Sequence, residues 1–186
     1  MQQITICKPK FILEIGVFEG VHAKQMIECA QKFSKNVIYY GFDLFEDYTK
    51  EIKKIEGSKA GNPIYSEIKK NLERTGAIIN LYKGFTRDTL PKFVREEGPL
   101  IDFIFIDGGH SLETIANDWF WCLKLMHKQT IVIFDDYWHN RLDFGCKKLI
   151  DNISQISSLI KFKAQILEPT DIFPDRKINF VKVTFA

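Results

Sequence analysis

Apolar runs punctuate the chain at Phe11 to Ile15, Val37 to Phe42, Ala77 to Tyr82, Ile101 to Ile106, Thr130 to Phe134, Phe162 to Leu167 and Ile178 to Phe185. The first five are mostly continuous rather than alternating, the pattern of strands covered on both faces. Between them the apolar positions recur at helical spacing. Val21 to Phe33 puts Met26, Ile27, Ala30 and Phe33 on one face, and Leu112 to Met126 does the same with Leu112, Ile115, Trp119, Leu123 and Met126. Tyr65 to Arg74, closed by Gly76, and Thr86 to Glu96 also read as helices, as does a segment from about Asp143 to Ile156. Pro169 and Pro174 interrupt Glu168 to Lys177, so the last two runs are expected to form a hairpin. The alternation predicts an α/β domain with five parallel strands, crossover helices on both faces and a C-terminal hairpin that contributes one antiparallel strand. Ligands of such an open sheet sit beyond the carboxyl ends of the strands, so those ends are where chemistry is sought.

Composition narrows the class. The 186 residues are 45% hydrophobic and 27% charged, which suits a single domain over residues 1–186 with one core. Lys plus Arg number 26 against 24 Asp plus Glu, a net charge of +2. The lysine pairs beginning at 53, 69 and 147 are interleaved with acids along helices, which argues against nucleic acid as a partner. No apolar run approaches the roughly 18 to 20 residues of a membrane span, and Met1 to Lys10 lacks the apolar centre of a signal peptide. A cytoplasmic location and no membrane partner are therefore expected. Cys7, Cys29, Cys122 and Cys146 are scattered without a CxxC pair, as reduced packed thiols are.

At the strand ends the residues become specific. Glu14-Ile15-Gly16-Val17-Phe18-Glu19-Gly20 leads from the first strand into a helix, where glycines permit close approach of a ligand and a helix N-terminus offers free amides. A tight strand-to-helix turn needs glycine in any case. The second strand ends at Asp43, able to accept both hydroxyls of a ribose or to cap the next helix. The turn spacing is GxxxG rather than GxGxxG, which counts against a nicotinamide dinucleotide. Phe85, after the third strand, can stack on a purine or close the core. The fourth strand breaks into Asp107-Gly108-Gly109-His110, and the fifth into Asp135-Asp136-Tyr137-Trp138-His139. Three crowded carboxylates repel one another unless protonated, paired with a base or bridged by a cation, and magnesium or a similar divalent ion suits hard oxygen ligands. Alternatively, Asp135 or Asp136 caps a helix and Asp107 binds loop amides.

In this setting the chain resembles the class I S-adenosylmethionine-dependent methyltransferases, and most closely the metal-dependent O-methyltransferases of the macrocin O-methyltransferase type. The resemblance runs from about Phe11 to Asp151 and rests on EIGVFEG, GFDLFED, IKKNLERTG, KGFTRDTLP, FIDGGHSLET and IVIFDDYW in the family's order. It implies a Rossmann-like seven-stranded sheet, and S-adenosylmethionine held by Glu14, Gly16, Gly20, Asp43, Phe85 and Asp107. It further implies a divalent ion on Asp107, Asp135 and Asp136. Gly109 stands where several such proteins have a second aspartate proposed as a base, which moves that role to His110 or His139, with His110 preferred. His22 and His127 lie on or beside the expected helices, away from the strand ends. The first strand begins near residue 11, so the N-terminal helices that cover the substrate in relatives are expected to be missing. Glu46 to Asn62, Tyr137 to Cys146 and Thr170 to Lys177 are the candidate lids.

These readings converge on methyl transfer to a small-molecule hydroxyl, of a sugar or related metabolite, assisted by the ion. A metal-independent transferase, and a cofactor-binding or assembly module without catalysis, are the alternatives. Assembly into a homo-oligomer is left open.

Overall fold

The computed structural model describes residues 1–96, 98–155, 162–174 and 176–186. Its parallel strands are β1 (Phe11–Ile15), β2 (Ile38–Asp43), β3 (Ile78–Lys83), β4 (Ile101–Ile106) and β5 (Met126–Trp138). They are followed by β6 (Phe162–Ile166), a two-residue β7 (Asp171–Ile172) and β8 (Lys177–Phe185). The sheet runs β3-β2-β1-β4-β5-β8-β6, with β7 pairing the start of β8. β8 is antiparallel to both β5 and β6, which is the hairpin expected from the sequence, with one short strand added at its turn.

Successive side chains of each central strand serve opposite layers, which is why those strands are apolar throughout. Leu13, Ile104 and Val132 join a core formed with Leu90 and Phe93, Ile115 and Trp119, and Ile150 and Ile153. These come from α5 (Thr86–Arg95), α6 (Leu112–Cys122) and α7 (Lys147–Gln155). Ile12, Phe103 and Ile131 point the other way, against Ile4, Ile27 and Leu72. Their helices are α1 (Gln2–Cys7), α2 (Val21–Ala30) and α4 (Tyr65–Glu73). Among the described residues no helix is long and apolar enough to cross a membrane.

Several boundaries differ from the sequence reading, each for a tertiary reason. The helix expected to reach Met126 ends at Cys122, and after a 3₁₀ turn at Leu123–Leu125, Met126 pairs with Ile101 of β4. β5 is thus far longer than its buried middle, Thr130 to Phe134, because β8 continues to pair with it as far as Trp138. The helix expected from Asp143 begins only at Lys147, behind Gly145 with its φ of +76°; its expected end, Ile156, lies outside the described residues. Two short helices carry too few residues to show a periodicity. One is α1, whose Ile4 is buried. The other, α3 (Lys50–Ile55), is N-capped by Thr49, whose hydroxyl accepts the Ile52 amide at 3.3 Å, and lies inside the first candidate lid.

Candidate active site

The carboxyl ends of β1, β2 and β4 meet at two turns. Gly16 has a φ of +89°, its amide donates to the Phe42 carbonyl at 2.9 Å, and the Asp107 amide donates to the Ile15 carbonyl at 2.9 Å. A Cβ on Gly16 would fall on the Asp107 main chain, so the turns after β1 and β4 touch only because residue 16 is glycine. Gly20, with a φ of +74°, starts α2. The Asp43 carboxylate braces both sides of the mouth: one oxygen accepts the Phe18 amide at 2.8 Å and the other the Phe45 amide at 2.6 Å. A carboxylate has about four lone-pair directions, so hydroxyl donors can still be accepted there.

Above these turns lies a cavity of about 560 Å³ lined by Gly16, Asp43, Phe85, Asp107 and His110, among others. Its far wall is Tyr48, Ile52, Ile55 and Glu56 from the α3 segment, so of the three candidate lids Glu46 to Asn62 is the one that covers this space. The Arg87 guanidinium lies 4.1 Å over the Phe85 ring, occupying one of its faces. Glu14 is fully buried behind the turn and takes a hydrogen bond from the Tyr39 hydroxyl, while its other oxygen has no partner among the described residues. Burial, partly countered by that bond, pushes its carboxyl up to about 8.

Asp135 and Asp136 sit where the β5–β8 register shifts, between Phe134 and Tyr137, and Asp136 has a φ of +59°. They open onto a narrow crevice shared with Asp107 and His110, on the other side of the 107–110 turn. Burial, reinforced by the charges of Asp135 and Asp136, pushes Asp107 up to about 9, and burial with Asp136 beside it takes Asp135 to about 7. Asp136 goes the other way: burial opposes its charge, but the His110 ring outweighs it and lowers its pKa. His110 Nε2 donates to Asp136 Oδ2 at 2.9 Å, and Trp138 Nε1 donates to the other oxygen at 2.7 Å. Burial alone would lower the His110 pKa, yet the bond to Asp136 and the nearby acids raise it. Its Nδ1 is buried without a hydrogen-bond partner among the described residues.

The divalent ion expected on Asp107, Asp135 and Asp136 finds no ligand set in this arrangement: among the described residues no group of three His, Cys, Asp or Glu side chains is placed to hold a metal ion, Asp136 is paired with His110 and Trp138, and an Asp135 oxygen accepts the Asp136 amide at 2.6 Å. The crowding of the three acids shows in the raised Asp107 and Asp135 carboxyls, while Asp136 is paired with His110.

The two histidines proposed as bases are separated. His139 leaves the cavity and donates through Nε2 to Asn179 on β8 at 2.7 Å. His22, by contrast, is at the strand ends after all: its Nδ1 is 3.9 Å from Asp107 Oδ2, because the first turn of α2 follows the glycine turn directly. Its place two residues after Gly20 was the available signal. Glu56 had none. Its carboxylate accepts the Ser111 amide at 2.8 Å, the Ser111 hydroxyl at 3.2 Å and the Thr114 hydroxyl at 2.7 Å, contacts that span more than fifty positions of chain.

Comparison with known proteins agrees with this fold. The O-methyltransferase TomG from Streptomyces achromogenes, involved in tomaymycin synthesis and solved with SAM, superposes with a TM-score of 0.69 at 14% identity over 100% of this chain and 77% of its own. The O-methyltransferase from Bacillus cereus, solved with SAH, gives 0.65 at 19% identity over 100% and 78%. Precorrin-6y C5,15-methyltransferase from Geobacter metallireducens gives 0.56 at 10% over 100% and 86%. Such identities establish a shared fold and leave the acceptor open. No curated protein matches the sequence. A family model described as a methyltransferase domain matches residues 13–137, from β1 to the end of β5 and so through every strand end that forms the cavity. The chain therefore belongs to the methyltransferase-domain family.

Proposed function

We propose that this protein is an S-adenosylmethionine-dependent methyltransferase that methylates a hydroxyl of a small molecule. The observation that carries the reading is the cavity over the Gly16 turn, closed by α3 and edged by Asp43, at the strand ends where an open α/β sheet binds ligands. That TomG and the Bacillus cereus protein were solved with SAM and SAH supports the choice of cofactor.

Bound there, S-adenosylmethionine supplies a methyl group for in-line displacement by the acceptor oxygen. The chain's task is then alignment and proton removal. Holding the reactants in line contributes roughly 7 to 11 kcal/mol. On this reading the acceptor hydroxyl must reach His110 Nδ1, which is buried and unpartnered among the described residues, and leaves its proton there, while Nε2–H stays on Asp136, which fixes the tautomer and stabilises the ring once charged. With His110 as the base, this route is written without a metal. The test is calorimetric titration with S-adenosylmethionine, followed by a mass-spectrometric screen of hydroxylated metabolites with and without a chelator. Binding, and turnover that persists in the chelator, are expected. Absence of binding overturns the assignment, and turnover lost in the chelator and restored by magnesium overturns the metal-free route.

A further inference from the structure

Among the acids lining the cavity, Glu56 is the most deeply buried: Asp43, itself held by two neutral main-chain amides, and Asp107 are half-buried, and Glu113 is exposed to solvent. Glu56 is only 9% exposed, and its partners, the Ser111 amide and hydroxyl and the Thr114 hydroxyl, are all neutral. No salt bridge reaches it among the described residues; Arg87 lies on Phe85, and the His110 ring is paired with Asp136. A buried carboxylate answered only by neutral donors lacks the counter-charge that best offsets its burial, so a cavity built around one is suited to a positively charged ligand. The seat is specific. A Cβ on Gly109 would lie 2.5 Å from Glu56 Oε2 and 2.7 Å from its Cδ, so glycine at 109 makes room for this carboxylate. Gly109 continues the same turn whose Asp107 carbonyl lies against Gly16, so Glu56 closes the outer end of the floor on which the cofactor is proposed to lie.

Resting on that proposal, we infer that Glu56 reads the charge of the cofactor, favouring the sulfonium of S-adenosylmethionine over the neutral thioether of S-adenosylhomocysteine. Transfer breaks the S–CH₃ bond with its electron pair kept by sulfur, forms O–CH₃, and sends the hydroxyl proton to the base, so the cofactor loses one positive charge during turnover. Glu56 holds the α3 segment against the start of α6, and the loss of that charge weakens the grip on the product.

The test is calorimetry of both cofactor forms on the full chain, comparing the unaltered protein with Glu56→Gln. The substitution keeps the size and an acceptor for Ser111 and Thr114 but removes the charge. Affinity for S-adenosylmethionine is expected to fall about tenfold, while that for S-adenosylhomocysteine stays within about twofold. Equal loss for both forms, or no loss for either, overturns the inference and leaves Glu56 as a structural tether or a bystander. Thermal melting establishes that the variant is folded; should it not fold, Glu56→Ser removes the charge with a smaller side chain and is read by the same two outcomes. An unaltered protein that binds neither form would overturn the methyltransferase reading itself, whereas one that binds both with an unchanged ratio in the variant overturns only the role of Glu56.

Discussion

At Gly16 a single missing Cβ decides whether two turns can meet. A methyl group there would strike the Asp107 main chain, and the φ of +89° is one that L side chains avoid. Gly16→Ala is expected to cost about 2 to 5 kcal/mol in urea unfolding, from backbone strain and overpacking together, and to abolish S-adenosylhomocysteine binding. His110→Ala tests chemistry rather than fold. Turnover is expected to drop roughly 10² to 10⁴-fold with S-adenosylhomocysteine affinity nearly unchanged, as measured by steady-state kinetics beside calorimetry. Glu14 gives a pH signature. Its folded carboxyl is raised from the ordinary range to about 8, so the folded state holds a proton that the unfolded chain has released. Its contribution is therefore fully favourable below about pH 4.5 and is lost as pH rises towards 8. Glu14→Gln, which keeps an acceptor for the Tyr39 hydroxyl, is expected to flatten the fall of stability over that window by up to about 1.4 kcal/mol per pH unit. Denaturant curves at pH 5, 6.5 and 8 measure it; an unchanged slope would mean that Glu14 is ionised where it lies.

At the scale of elements, the two ends of β4 put aspartates to opposite uses. Asp102, near its start, accepts the Lys10 and Phe11 amides at 2.8 Å each and faces His127 Nε2 at 3.0 Å, tying β1 and β5 to β4 at the amino edge of the sheet. Asp107, at the finish, lines the cavity. Asp102→Ala is expected to lower stability by about 3 kcal/mol, since two amide bonds to a charged acceptor go, while S-adenosylhomocysteine affinity stays within about twofold. A matching loss of affinity would show that strain at the amino edge reaches the site. Both residues read alike in the chain, as carboxylates bordering an apolar strand. Strand direction separates them, and that was legible because parallel strands with helical crossovers place ligands at the carboxyl ends. The α3 segment was less legible: six residues, none of them buried, carry no periodicity, and its role over the cavity depends on Glu56 reaching Ser111 and Thr114.

For the whole molecule, the cavity is bounded by β1, β2 and β4, by the α3 segment and by the start of α6, so ligand binding should steady the domain as one unit. S-adenosylhomocysteine at a hundred times its Kd is expected to raise unfolding stability by about 2.7 kcal/mol, with fluorescence and circular dichroism giving coincident transitions. Separated transitions would show that the two layers melt independently. What the sequence by itself determined was the α/β class, the strand cores, the antiparallel hairpin and the turn residues at the strand ends. Those follow from local periodicity and from main-chain requirements that glycine alone meets. What only the tertiary structure decided was which side chains face one another. Asp135 and Asp136 were readable as an acidic pair, but that Asp136 meets His110 and Trp138 follows from the register shift against β8. His139 was carried to Asn179 and His22 to Asp107, while Glu56 was brought to Gly109 from more than fifty residues away. Hydrogen bonds and charge act through space over a few ångströms, and strand register with helix docking sets those distances, whereas spacing along the chain does not.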